Sequence, residues 1–314
     1  MNRSALTVAL CAASILTLPC AAAQKELNET HRYPAHPGKR VVLDAATLDV
    51  SVRAADVPDV EVTTELRISG ISEERATAWV AQHTPEAADS QDRLTVTVRP
   101  GHSGFLGLGL LTARARLGVV APTSVIPDIT TTSGSIALRG DFPSADPLML
   151  RTATGDMEVT GAARSIDIRS ASGSCRLEVV RPLDQLFARS SSGDVTLTGG
   201  ARRLEVDTSS GNVWVNNLSG SASVETSNGK ITLRWDRLPD GSLVKVRSAS
   251  GKVQIVLPAA ARPAGTLHTT TGTIRCDLPG TVNEAGDTVT LEGSGSTLDI
   301  ETASGEIIVS LADR

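Results

Sequence analysis

The chain has almost no aromatic residues. Trp79, Trp214, Trp235, Tyr33, Phe105, Phe142 and Phe187 are the whole set, 2% of 314 residues against 40% hydrophobic. Base-stacking platforms and sugar-stacking clefts need several rings side by side, so both are excluded. An excess of one charge is missing too. The 30 basic and 35 acidic residues give −5 and are spread along the chain, which fits neither the concentrated basic surface of a nucleic-acid binder nor a disordered acidic tail. No apolar run after residue 23 approaches the roughly 20 residues of a membrane-spanning helix. A core without rings has to be built from Val, Leu, Ile and Ala.

The first 23 residues form a motif of their own. A single basic residue, Arg3, precedes an apolar stretch from Ala5 to Leu18, then Pro19, then Ala21 and Ala23 in an A-x-A arrangement before Gln24. This is a secretory signal peptide, and it places the mature chain outside the cytoplasm, in the periplasm or at the cell surface. Pro19 stands where a lipoprotein signal takes Gly, Ala or Ser, which argues against a lipid tether on Cys20. Removing the signal leaves Cys175 and Cys276 in an oxidising compartment, where a close pair becomes a disulfide.

From residue 129 one pattern recurs nine times: ITTTSGSIAL, LRTATGDMEV, IRSASGSCRL, ARSSSGDVTL, VDTSSGNVWV, VETSNGKITL, VRSASGKVQI, LHTTTGTIRC and IETASGEIIV. Its glycines are Gly134, Gly155, Gly173, Gly193, Gly211, Gly229, Gly251, Gly272 and Gly305, spaced 18 to 22 apart until a final gap of 33 that holds an insertion. Period-two alternation on both sides of each glycine means two short strands joined at a corner. Counting from glycine, positions −5, +2 and +4 are aliphatic and face inward, as in Val206, Val213 and Val215. The corner glycine fits a turn with positive φ. Positions −3 and −1 share the inward parity but carry hydroxyls, such as Thr208 and Ser210, which are read as ladders satisfying backbone groups at the bend.

Repeats of this length with two or three strands each stack at about 4.8 Å into a parallel β-helix, so the expected fold is all-β, a single-chain solenoid of nine or more coils. Cys175 lies in the third copy and Cys276 in the eighth. Five coils separate them by about 24 Å, too far for a disulfide, so both are expected as free, buried thiols.

Residues 24–39 are polar, contain proline and show no periodicity, as expected of a flexible leader. Residues 40–128 read as a capping region of the same domain as the repeats at 129–314. Two alternating runs, VVLDAATLDVSVRA and VEVTTELRIS, read as strands, and Ser72 caps a short helix, SEERATAWVAQH, with Ala76, Trp79 and Val80 on one face. Leu94–Val98 and Leu117–Val120 read as further strands. The stretch at 101–116, GHSGFLGLGLLTARAR, lacks the third glycine of a phosphate-cradling loop and is expected to fold back over the solenoid, the alternative being an apolar hairpin tip of Phe105, Leu106, Leu108, Leu110 and Leu111 touching a membrane or partner.

The V-x-T-S-S-G-x-V-x-V unit, the run VVLDAATLDVSV, the short helix, the F-L-G loop and the A-P-T-S segment resemble a bacterial domain-of-unknown-function family named "putative adhesin". The resemblance covers roughly residues 40–311. It implies a right-handed β-helix and an exported, envelope-associated setting, and it supplies no catalytic residues.

Tests for chemistry come back empty. His31, His36, His83, His102 and His268 have no partner at metal-ligand spacing. Asp156 and Asp194 follow corner glycines, but the β-roll calcium motif would need them every nine residues, so both read as exposed turn residues. As a carboxylate pair they are about 10 Å apart, just beyond the inverting-glycosidase window. No serine sits in a G-x-S-x-G elbow. The outward positions are more informative. Position −4 places Arg151, Arg169 and Arg189 in consecutive coils, followed by Asp207 and Glu225 and then Arg247 and His268. The Arg stripe suits an anionic glycan or lipid headgroup, and the plainer reading is a solvated face partly neutralised by Asp207. Trp214 points outward at +3 as a candidate contact residue, unless a loop covers it. Together these features lead to a non-enzymatic, cofactor-free, metal-free exported solenoid. It would act as an adhesin-like binding or structural module of the cell envelope, with an envelope polysaccharide or another envelope protein as partner and no nucleic acid. The alternative is a polysaccharide hydrolase or lyase on the same fold, and end-to-end stacking of copies is a third possibility.

Overall fold

Alternating aliphatic positions with small residues between them leave the backbone nothing to do but extend and pair, and almost every segment is a strand. The computed structural model describes residues 23–99 and 112–312. The signal segment and the apolar part of the 101–116 stretch lie outside the described residues. The capping region comprises β1 (Ala23–Pro34), β2 (Arg40–Asp44), β3 (Asp49–Ala55), β4 (Asp59–Ile71), α1 (Glu73–His83), β5 (Glu86–Asp89), β6 (Arg93–Thr97) and β7 (Thr112–Pro122). The first seven copies supply β8 (Ile126–Thr131), β9 (Ile136–Phe142), β10 (Leu148–Thr152), β11 (Met157–Ala163), β12 (Ser165–Ser172), β13 (Cys175–Val179), β14 (Gln185–Ser192), β15 (Val195–Thr198), β16 (Arg203–Ser210), β17 (Val213–Leu218), β18 (Ser221–Asn228), β19 (Ile231–Trp235), β20 (Leu243–Ser250) and β21 (Val253–Leu257). The chain finishes with β22 (Ala264–Cys276), β23 (Gly280–Val282), β24 (Thr288–Glu292) and β25 (Thr297–Leu311).

Through the repeats the two strands of each copy run on two walls. The strands before the glycine pair in parallel from β8 to β20 in steps of one copy. Those after it do the same from β9 to β21. Like positions therefore lie over one another: Arg151 beside Arg169 beside Arg189, and Val195 beside Val213 beside Ile231. The −5, +2 and +4 side chains fill the space between the walls and are at most 5% exposed in every copy but the eighth, where Ile274 and Cys276 are half-buried. Two rings do find room inside. Phe142 is 1% exposed, and Trp235 is 1% exposed with its indole N–H donating to the Gly220 carbonyl at 2.9 Å.

At both ends the expectation of parallel pairing in chain order needs correction. The run at 40–55 is not one strand but a further layer, β2 and β3, bent at Ala45–Leu48 without a glycine, with Ala46 taking φ 47°. That layer sits between β6/β7 on one side and β8/β9 on the other. At the far end β25, the ninth copy, pairs with β20 and β21 on one side and with β22, the eighth, on the other. The insertion in the last glycine gap is what permits this: β23 and β24 form an antiparallel hairpin that carries the chain back. Antiparallel strands β4 and β1 continue the wall of β7, and β5 continues that of β6. The described fold is thus all-β with one helix, a solenoid of parallel layers closed by antiparallel strands.

The flexible leader expected at 24–39 is also corrected, because most of it is β1. Its backbone pairs with β4 along its whole length, and its charged side chains find cross-strand partners, Arg32 with Glu61 at 2.9 Å and Glu26 with Arg67. Residues 112–116, expected in a loop, belong to β7. The helix is as read from the sequence: the Ser72 hydroxyl accepts from the Arg75 N–H, and Ala76 and Val80 are buried.

Candidate functional site

The corners determine which residues remain free to act. Six of the nine corner glycines, Gly173, Gly193, Gly211, Gly229, Gly251 and Gly305, take φ between 128° and 151°, as a left-handed turn requires. Gly134, Gly155 and Gly272 do not, so positive φ is not the common reason for glycine. Close approach is. At all nine, a Cβ would fall on the carbonyl group of the corner in the layer below, from Leu48 under Gly134 to Gly305 under Gly272. Any side chain here would push two layers apart.

Hydroxyls at −3 are buried as expected. Thr152 accepts from the Gly155 N–H at 2.9 Å, and Thr131 accepts from the Gly134 N–H at 2.9 Å while donating to the Ala46 carbonyl at 2.8 Å. Position −1 does not share that burial. Ser210, Asn228 and Ser250 are exposed because the strand bends before the glycine and parity breaks. Four of the −3 hydroxyls, those of Ser170, Ser190, Ser248 and Thr302, have no hydrogen-bond partner.

Asp156 and Asp194 are not free acids. The Asp156 carboxylate accepts from the Ser174 N–H at 2.8 Å in the next layer, and Asp194 accepts from the Asn212 N–H at 2.8 Å. Asn212 continues the series by accepting from the Lys230 N–H at 3.0 Å, and Asp49 begins it by accepting from the Ser135 N–H at 3.0 Å. These residues act as staples between layers. Sequence reasoning read them as exposed turn residues, which they are, and missed that role, although Asp or Asn directly after a corner was the signal.

Cys175 and Cys276 are both free. Because the ninth copy is threaded between the seventh and eighth, they lie one layer farther apart than chain order implies. Burial first, and Asp156 second, push the Cys175 thiol up to about 12. Cys276 is only half-buried, and burial raises its thiol as well.

The Arg stripe is assembled as expected and is also neutralised more fully than expected. Arg151 donates to Asp128 at 3.0 Å, Arg169 donates to Asp167 through both Nε and Nη2, and Arg189 faces Asp207 at 3.9 Å while lying over the Phe187 ring at 4.6 Å. The three guanidiniums form one side of a shallow groove of about 580 Å³, whose other side is formed by the −2 residues Ala153, Ala171, Ser191 and Ser209. A second groove of about 520 Å³ continues it past Asp207 to Glu225, Arg247 and Glu301. Threading changes the stripe there, because Arg247 stands beside Glu301 and not beside His268. His268 instead touches Thr288 at 3.0 Å. Trp214 lies on the other wall between Thr196 and Thr232 and is 38% exposed, so no loop among the described residues covers it. The groove and the Trp214 ring therefore face different directions and form two surfaces. Among the described residues no group of His, Cys, Asp and Glu is placed to hold a metal ion, and no helix is long and apolar enough to cross a membrane.

The arrangement defines a class: a β-solenoid whose corners are set by close contact between layers, with its variable residues on long lateral surfaces. The chain belongs to the Toastrack DUF4097 family, whose model matches residues 39–310. Several solved structures are distantly similar. A "putative adhesin" from Bacteroides fragilis NCTC 9343 shares 13% identity over 91% of this chain and 97% of its own, with a TM-score of 0.39. A "putative cell adhesion protein" from Clostridium sporogenes ATCC 15579 shares 12% over 91% and 100%, with a TM-score of 0.26. A "putative lipid binding protein" from Parabacteroides distasonis ATCC 8503 shares 10% over 91% and 97%, with a TM-score of 0.38. No curated protein matches the chain.

Proposed function

We propose that this protein is a non-enzymatic binding module of the bacterial cell envelope, exported by its first 23 residues to the periplasm or the cell surface, and that its right-handed solenoid serves as a rigid rod presenting lateral surfaces. One observation carries the reading. The two carboxylates weighed for catalysis, Asp156 and Asp194, each hold a backbone N–H of the neighbouring layer through Oδ1, which gives both a structural role at the corners. The lateral side chains change from layer to layer while the corners stay constant, the pattern of a scaffold that carries a binding face.

The competing reading, a polysaccharide hydrolase or lyase, is tested directly. Purified protein is incubated with a panel of neutral and uronate-containing polysaccharides, and new reducing ends or unsaturated products are measured. No turnover is expected. Turnover abolished by Asp156→Ala or Asp194→Ala in variants that still fold would overturn the proposal.

A further inference from the structure

Resting on the binding-module reading, we propose that the groove along Arg151, Arg169 and Arg189 binds a linear acidic polysaccharide, its carboxylates taken one per layer. Register supplies the first argument. The three arginines are direct neighbours in adjacent layers, so their guanidiniums recur at the strand spacing of about 4.8 Å, comparable to one sugar residue of an extended chain. Remaining donor capacity supplies the second. A guanidinium has five N–H donors. Arg151 spends one nitrogen on Asp128 and Arg169 spends two on Asp167, while Arg189 makes no hydrogen bond to Asp207, which is 3.9 Å away. The acids thus orient the arginines and leave edges free for a carboxylate, the planar group that an arginine fork fits best.

The opposite side of the groove narrows the ligand further. Ala153 and Ala171 leave room for a chain to lie flat, and the exposed Ser191 and Ser209 hydroxyls match sugar hydroxyls. The unspent Ser170 and Ser190 hydroxyls lie beneath the same layers. A single row of three cations does not match a duplex, whose paired phosphate backbones need a broad basic face. The three aspartates keep the local charge balanced, so each contact is weak and several layers must act together.

The test measures binding of polygalacturonate to the full chain by affinity electrophoresis and calorimetry, at low and at physiological salt. Binding is expected, weaker at higher salt, and reduced by about tenfold or more in Arg169→Gln with Arg189→Gln, the effect of losing charge-assisted hydrogen bonds. Arg164→Gln with Arg202→Gln, which alters two arginines on Asp184 outside the groove, is expected to bind as the parent does. Arg189→Lys, which keeps the charge but loses the fork, is expected to fall between them, and it serves as the probe if the double variant does not fold. The proposal is overturned by absence of binding, by equal binding of neutral dextran, by galacturonate monomer competing as well as the polymer, or by single-stranded DNA binding as tightly. A neutral glycan lost on Trp214→Ala would remove this ligand and leave the binding module standing. Turnover of polygalacturonate would do the reverse, keeping the ligand and ending the non-enzymatic reading.

Discussion

The two ends of the solenoid face the same problem, an exposed layer with unpaired backbone, and meet it unequally. At the amino-terminal end the wall of β7 is extended by β4 and β1, and α1 packs on both. A buried lysine locks the arrangement. Lys39, 2% exposed, donates to Asp89 of β5 at 2.6 Å and to the Pro34 carbonyl at the end of β1 at 2.7 Å. At the carboxy-terminal end the described residues cover only one wall, where β24 pairs with the first half of β22. The second half pairs with β25 alone, and its inward residues Ile274 and Cys276 stay half-buried. Exposed sheet edges invite pairing. The difference shows that the layered core needs only a neighbour on each side, and that closure is built separately from side chains outside the repeat.

The largest effect should come from breaking the closed end. Lys39→Ala removes at once the two charge-assisted hydrogen bonds that tie β1 and β5 together, and is expected to cost about 3–5 kcal/mol in denaturant unfolding, at about 1.5–3 kcal/mol for each bond. A change below about 1 kcal/mol would show that the lock is ornamental. Next, the same substitution can be made in a closed layer and in the open one. Ile231→Ala, at a fully buried site, should cost about 2–5 kcal/mol, and Ile274→Ala clearly less, since its cavity opens to solvent. Equal losses would mean the last layer is as well packed as the rest.

Acid should act on the open end first. The Asp287 carboxylate is held below its ordinary value by hydrogen bonds from Asn283 and then Thr288, and Glu306 by its hydrogen bond from Lys252. Groups with lowered folded values contribute stability above the unfolded carboxylate range and lose it as pH falls through the folded values. Hydrogen exchange over residues 264–311 should therefore quicken below about pH 4, before exchange in the central layers does. Uniform loss along the chain would contradict this. The smallest effect is chemical. In protein lacking residues 1–23, a thiol reagent at mildly alkaline pH should label Cys276 slowly and Cys175 only after unfolding, read by mass spectrometry.

Much of this was legible beforehand because the repeat states it nine times. Inward Val206, Val213 and Val215 and the outward Arg stripe follow from parity alone, and the Ser72 cap from a hydroxyl placed before an acidic first turn. What parity could not show was anything decided between layers. The sequence VVLDAATLDV forms a layer without its glycine, since Ala46 tolerates the left-handed turn, so the pattern search passed over it. QKELNETHRYP carries no alternation because β1 buries little and pairs through its backbone and ion pairs. The glycines were correctly marked as corners, but their shared cause, contact with the carbonyl below, belongs to a neighbour some twenty residues away. The candidate site was legible to the same degree: its arginines were visible at −4, while Asp128 and Asp167 at their feet became relevant only once the side chains turned toward them.

The threading of β25 between β21 and β22 has a consequence for how the chain is made. A solenoid wound in chain order can grow as it emerges, each new coil settling on the last. Here the eighth copy is synthesised before the surface it rests on exists, and that surface is supplied by the final strand, Thr297–Leu311. The last segment to arrive is therefore the one that joins two finished parts, and a chain stopped near residue 290 would be left with a stack open at β20 and β21 and a hairpin with nowhere to dock.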